Sequence, residues 1–400
     1  MTQSLEYRRP EADRGESFAV RLRHSLGSVA GAVIGLTLVM TIFGIWAPYS
    51  FLSPGNLTNL LLYNYHLIVA AVGATFVIIT AGIDLSAGST IAMASVACAY
   101  AARGFTTPDF DILQDVTIGS GMALLVGLCL CGWLLQRGVG AVRAIGKAVG
   151  IALPIGIVTS LLWWRLAGHT FGEGSALISI SAGILTGGIV GLVNGVLVTS
   201  ISLPPFIVTL GTLEAVRGLT LYVTQATPVE IRADGIVHSL HTARWLGLAP
   251  NVWIAMAVVV IAVPLLHSTV LGRYTYAIGS NERTARLCGV RVERYKTACY
   301  LIAGLTAGLA GVMMTAQFAS AQPNEFKGAE LDIIAAVVIG GTSLFGGEGT
   351  IAGSVIGVFM LAALHSGCNH ADINPDLQHV FIGGMIILAA AIDRFRHLAR

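Results

Sequence analysis

Apolar residues in this chain come in blocks of about twenty, the length an α-helix needs to cross the hydrocarbon of a bilayer. The first block runs from about His24 to Trp46. Hydropathy and loop charge together predict further crossings at about 57-80, 86-102, 117-136, 148-166, 176-200, 206-224, 251-267, 298-319, 331-342, 350-367 and 379-394. A soluble chain of 400 residues could not cover its surface with 55% hydrophobic residues and a mean hydropathy of +0.78. The sequence therefore specifies an all-α, polytopic membrane protein of about ten to twelve helices. The spans 86-102, 331-342 and 350-367 are short, which predicts broken or re-entrant segments among them.

Charge sets the orientation. The head, residues 1-23, carries Arg8, Arg9, Arg14, Arg21 and Arg23 ahead of a block too long for a signal-peptide core. The loops that follow spans assigned as inward are basic too: Arg137, Arg143 and Lys147, then 268-297, then Arg394, Arg396 and Arg400. The loop 103-116 on the other side carries Asp109, Asp111 and Asp115 against Arg103. Positive residues stay inside, so both termini are expected in the cytoplasm. A formal net charge of +2 gives nucleic-acid binding no electrostatic basis. The six cysteines form no CxxC pair, which predicts buried apolar thiols. Glycines spread through GILTGGIVGLVNG and AGLTAGLAG predict close helix packing. Trp163 and Trp164 end a predicted helix as interfacial anchors.

Four interruptions of the hydrocarbon pattern carry the information. In AGIDLSAGST, residues 81-90, Asp84 follows directly on an apolar span, where a carboxylate needs a partner, an interface or a water-lined cavity. Asp84 and Ser86 can also cap the helix that begins near Ala87, and the two roles are compatible. In SLPPFIVTLGT, Pro204 and Pro205 open the next helix, and Glu214 and Arg217 beyond them are spaced to pair on one face. Pro323 and Gly328 break the chain before the short AELDIIAAVVIGGTS, the pattern of a discontinuous helix beside a transport path or of an external loop before a tilted helix. Asn324, Glu325 and Asp332 lie in this stretch.

The fourth interruption is NERTARLCGVRVERYK, residues 281-296, where seven of sixteen positions are charged in a chain that is 11% charged. Asn281 is placed to cap a short amphipathic helix bracketed by Gly279 and Gly289. Its apolar strip is too short to hold lipid firmly. Chemistry alone leaves a solvated loop and a docking peg equally open.

Several signatures are missing. There is no G-x-x-x-x-G-K-[ST] to cradle a nucleotide, no H-E-x-x-H and no G-x-S-x-G. His238 with His241, and His365 with Cys368 and His370, lack a full set of metal ligands. No metal, cofactor or catalytic residue is expected.

GATFVIITAGIDLSAGS, LPPFIVTLGT, LGRYTYAIGSNERTARLCGV and ELDIIAAVVIGGTSLFGGEGTIAGSVIGV, in that order, closely resemble the permease subunits of bacterial ATP-binding-cassette sugar importers of the ribose/xylose class. The resemblance covers the chain from about residue 50 to its end. It implies a homodimeric permease in the bacterial inner membrane that receives a monosaccharide from a periplasmic binding protein and binds cytoplasmic ATPase subunits. ATP and magnesium would be used by those partners and not by this chain. It also implies that the block 279-290 couples to the ATPase, through Asn281, Glu282, Arg283, Ala285, Arg286, Leu287 and Gly289. Position in the broken segments assigns Asp84, Ser86, Asn324, Glu325 and Asp332 to the translocation path.

The chain departs from that family in two places. The usual plan has about ten spans, and residues 106-176, with two predicted crossings, have no counterpart in it. PNEFKG replaces a small polar loop, which leaves the sugar unspecified. An ion-coupled secondary sugar transporter is the alternative. It would need coupling carboxylates at mid-membrane and two similar halves, and neither is evident.

Overall fold

The computed structural model describes residues 18-103, 176-232 and 235-398. The predicted spans 117-136 and 148-166, Trp163 and Trp164, and residues 1-17 lie outside them, as does all of the extra segment 106-176 except Ala176. The described helices are α1 (Phe18–Trp46), α2 (Pro48–Phe51), α3 (Pro54–Leu62), α4 (Tyr65–Ile79), α5 (Ala87–Arg103), α6 (Ala176–Ser200), α7 (Pro205–Thr224), α8 (Ile236–Thr242), α9 (Pro250–Ser268), α10 (Val270–Ser280), α11 (Glu282–Leu287), α12 (Val292–Phe318), α13 (Ala329–Ile339), α14 (Ile351–His370) and α15 (Pro375–Leu398). Two-residue strands β1 (Val229–Glu230) and β2 (Ser320–Ala321) pair antiparallel, Val229 opposite Ala321. Among the described residues six stretches are long and apolar enough to cross a membrane: Pro54–Ile79, Ala176–Ser200, Pro205–Thr224, Pro250–Ser268, Val292–Phe318 and Ile351–His370.

The centre of the bundle is the crossing of α6 and α12. Gly183, Gly187, Gly191 and Gly195 recur at four-residue intervals and so form a single stripe along α6. A methyl group on Gly187 would collide with the carbonyl of Gly304, and one on Gly191 with the carbonyl of Tyr300. At the ends of the stripe the same probe comes to 2.8 Å from Thr297 Cα at Gly195 and to 2.5 Å from Val312 Cγ2 at Gly183. Contacts that climb one helix as they descend the other mean that α6 and α12 are antiparallel. Between apolar helices in a membrane this close backbone approach is the main source of attraction, because lipid offers the side chains as good an environment as protein does.

α5 lies antiparallel to α6 as well, since Ser86 meets Asn194 at one end while Cys98 and Ala94 meet Gly183 toward the other. Arg103 and Ala176 therefore lie at the same end of the bundle.

The structure revises two of the predicted spans and bears out the shortness of a third. Span 57-80 is divided at Tyr63 and Asn64 into α3 and α4, where the Asn64 amide donates to the Leu60 carbonyl at 2.9 Å, a local alternative to continued helix. Span 350-367 is not short. α14 runs 20 residues because the helix continues through polar Ser366–His370, beyond the point where hydropathy fails. Span 331-342 is the 11-residue α13. At about 1.5 Å per residue it covers roughly half of a hydrocarbon core about 30 Å thick. α7 opens on Pro205 as its sequence predicts.

Replacing Gly187 with leucine should force the α6–α12 crossing apart. We expect a loss of about 1–3 kcal/mol or more, read as a lower midpoint of thermal unfolding in detergent, while the same change at Gly211, which has open space around it, leaves the midpoint near wild type.

Candidate functional site

Asp84 and Ser86 lie in the turn between α4 and α5, and both are buried. The Ser86 N–H and hydroxyl both donate to Asp84 Oδ1, at 2.9 and 2.6 Å. The Ser86 oxygen in turn accepts from Asn194 Nδ2 at 2.8 Å, and Asn194 Oδ1 accepts from the Thr212 hydroxyl at 2.7 Å. The donors point one way, from α7 through α6 to the carboxylate. Each polar group is thereby satisfied inside the bundle, where an unmet one would be costly. The capping expectation is corrected. Asp84 takes the N–H of Ser86, which precedes α5, and the Ser86 hydroxyl donates to Asp84 and accepts from Asn194, so these bonds close the turn and join it to α6 instead of capping the helix.

The second break is a loop that leaves β2 and enters the bundle. Phe326 has φ of +62° and Gly328 of +94°, so the main chain cannot satisfy itself as a helix would. Arg217 of α7 supplies the donors. Its Nη1 reaches the carbonyls of Pro323 and Glu325 at 3.3 and 2.9 Å, and its Nη2 that of Phe326 at 3.4 Å. Glu330 Oε1 accepts the Gly328 N–H at 3.2 Å and closes the start of α13. The same loop rests on the first turn of α5, where a methyl on Gly88 would come to 2.6 Å from the Phe326 carbonyl. The predicted Glu214–Arg217 pair does not form, because the guanidinium is engaged by these carbonyls. Glu214 stays exposed.

The path residues predicted from sequence thus divide into three places. Asp84 and Ser86 form one buried network. Asn324, exposed, and Glu325, half-buried, sit at the loop tip under Arg217. Asp332 lies apart from both, in a cleft of about 340 Å³ with Asn56, Asn59, Asn64, His365 and Asn369. Asn194, Thr212 and Arg217 were not assigned from sequence. A lone amide in GLVNG and a lone guanidinium in a predicted span were the available signals.

Residues 281-296 form a compact peg on one end of the bundle. Asn281 Oδ1 accepts the Thr284 N–H at 3.0 Å and caps α11 as predicted. At the other end Gly289, with φ of +82°, donates to Arg286 O at 3.1 Å, and Val290 donates to Ala285 O at 3.1 Å. This double closure needs a left-handed residue, which is why glycine stands there. Ala285 is buried against Ile278 and Val292, joining α11 to both neighbouring helices. Lys296 donates to Glu282 at 2.7 Å, and Arg286 bridges Glu282 at 3.2 Å and Glu293. Partial burial pushes the Glu282 carboxyl up, but Lys296 and then Arg286 outweigh it and hold it below the usual carboxylate range. Glu293 and then Glu282 hold the Arg286 guanidinium above its ordinary value. Glu282 and Arg286 therefore both stay charged at neutral pH. Leu287, 88% exposed, and Arg283 project outward.

Three histidines serve the other end. Tyr65 Oη and His241 Nδ1 are 3.0 Å apart, His238 Nδ1 lies 2.8 Å from Ala316 O, and His365 Nδ1 lies 3.1 Å from Gln378 Oε1. Among the described residues no group of three or more His, Cys, Asp or Glu side chains could hold a metal. Cys98, Cys299 and Cys368 are buried as expected, but Cys288 is exposed beside Leu287, which corrects the expectation of buried thiols at that position. Cys129 and Cys131 lie outside the described residues.

Apolar spanning helices, with irregular main chain and paired polar groups held inside the bundle, define a polytopic membrane protein in class. A family model described as branched-chain amino acid transport system, permease component, matches residues 56–390, and the chain belongs to that family. Curated relatives include the ribose import permease protein RbsC of Escherichia coli K12, 37% identical over 271 residues, which are 65% of this chain and 84% of that one. RbsC of Bacillus subtilis is 33% identical over 366 residues, 91% of this chain and 92% of its own. The L-arabinose transport system permease protein AraH of Escherichia coli K12 is 34% identical over 311 residues, 76% and 88% respectively. No solved structure matches the chain.

Ser86→Ala and Asn194→Leu each leave a buried partner unsatisfied, at a cost of about 1–3 kcal/mol. Because both belong to one network, the double variant should lose clearly less than the sum of the two, as measured by a double-mutant cycle on unfolding in detergent.

Proposed function

We propose that this chain is the membrane-spanning subunit of an ATP-driven importer, carrying a monosaccharide from periplasm to cytoplasm by alternating access. It works as a homodimer in the inner membrane, with both termini and the loop 268-297 cytoplasmic. A periplasmic sugar-binding protein delivers the substrate, and separate ATPase subunits, which hold ATP and magnesium, dock on the peg. Asn281, Glu282, Ala285, Arg286 and Gly289 hold α11 in shape, and Arg283 and Leu287 offer it to the ATPase. Asp84, Ser86, Asn324 and Glu325 serve the path, with Asp332 at the outer cleft.

One observation carries this reading: the arm that bears the peg is wedged against two of the breaks. Gly279 of α10 lies directly on the Ile79 carbonyl, where any side chain would collide. The Gly347 N–H donates to that same carbonyl at 2.8 Å, and the Tyr276 hydroxyl donates to Gly349 O at 2.6 Å. Ile79 ends α4 just before the Asp84 turn, and Gly347 and Gly349 belong to the glycine turn that opens α14. A push on α11 therefore reaches both without passing through soft side chains. Packed elements of this kind shift between discrete arrangements and do not stretch. The names of the curated relatives, for ribose and L-arabinose, support a monosaccharide as substrate.

Arg283→Asp with Leu287→Asp should leave the protein inserted and folded while abolishing co-purification with the ATPase and ATP-dependent uptake in proteoliposomes. Wild-type recovery of the ATPase would contradict the docking assignment. Uptake driven by an ion gradient with no ATPase present would favour a secondary carrier instead.

A further inference from the structure

Glu214 is the tenth of the twenty residues of α7 and is exposed in the middle of a membrane-spanning helix. Its neighbours along the same open face are Ile207, Leu210, Gly211, Gly218 and Tyr222. Gly211 and Gly218, roughly one turn to either side, have no atom within 4 Å of where a side chain would start, so the space in front of Glu214 is open. A carboxylate at this depth is costly against lipid, and such residues face bundle interiors or water. Arg217, three residues on, does not neutralise it by an ion pair, because its guanidinium holds the carbonyls of Pro323, Glu325 and Phe326. That grip brings Asn324, exposed, and Glu325, half-buried, to the same level of the bundle as Glu214. Two separate parts of the chain thus bring hydrogen-bonding side chains to one level of the bundle, either side of Arg217.

We propose that the open face of α7 is the wall of a hydrated passage and that Glu214 accepts hydrogen bonds there from the hydroxyls of a neutral polyol, opposite Asn324 and Glu325. This deepens the permease reading above and rests on it. Arg217 is a positioning residue, since it acts on the passage by holding the loop. Asp84 and Ser86 lie deeper, in the buried network, and take no part in this contact.

The test uses the full transporter, with its ATPase and receptor, in proteoliposomes and D-ribose as the probe. Glu214→Leu should raise the KM for uptake about tenfold or more, as loss of a hydrogen bond to a charged group implies, with the maximal rate much less affected. Glu214→Gln, which keeps an acceptor, should fall between the two. In a cysteine-free background Glu214→Cys should react with a charged, membrane-impermeant thiosulfonate, and D-ribose should slow the reaction. The labelling reads out the passage even where a transport variant is poorly active. A Glu214→Cys thiol that stays unreactive in a folded protein, or a Glu214→Leu variant with wild-type KM, overturns the proposal while leaving the permease reading intact. Absence of monosaccharide uptake by the wild-type assembly would bring down the parent reading, and the sugar with it.

Discussion

Main-chain N–H and C=O groups that leave a helix inside hydrocarbon must find partners within the protein, since each one left alone costs several kcal/mol. Among the described residues three stretches leave their helices inside the bundle, and each is answered by a specific group. The Asp84 carboxylate takes the Ser86 N–H, the Arg217 guanidinium takes the carbonyls of residues 323, 325 and 326, and the Ile79 carbonyl takes the Gly347 N–H. These partners fix where the chain may bend, and so they also fix where a path can open.

The rigid part of the molecule makes those bends usable. The α6–α12 crossing brings two backbones together with no side chains between them, so neither helix can slide without a collision. Against this frame, α10 and α11 form an arm whose ends are tied by hydrogen bonds and ion pairs instead of by lipid-facing bulk. Gly279 is the joint: a residue with a side chain there would hold the arm away from Ile79 and break the mechanical link. Rigid frame, tied arm and satisfied breaks are the parts that the proposed alternating access would use.

Much of this was legible in the residues. Twenty-residue apolar blocks, proline at a helix start, an asparagine cap and a glycine stop are local signals, and the structure follows them at Pro205, Asn281 and Gly289. The α6 glycine stripe announced close packing but not its partner, because sequence spacing shows which face is small and not what lies against it. The polar sites were harder. Glu214 and Arg217 have pairing geometry along their own helix, yet carbonyls from a loop more than a hundred residues away win the guanidinium. Asp332 looked like a neighbour of Glu325 in sequence, but the turn at Gly328 sends it into a different cleft. Long-range competition of this kind leaves no local trace.

The exposed native thiol of Cys288, next to Leu287 on the peg, offers the most direct test of where work enters the molecule. With Cys129 and Cys131 replaced by serine, a membrane-impermeant maleimide should label Cys288 in inside-out vesicles and fail to do so in intact cells, and added ATPase subunit should protect it. Labelling from the outer face, or labelling that the ATPase leaves unchanged, would contradict the account.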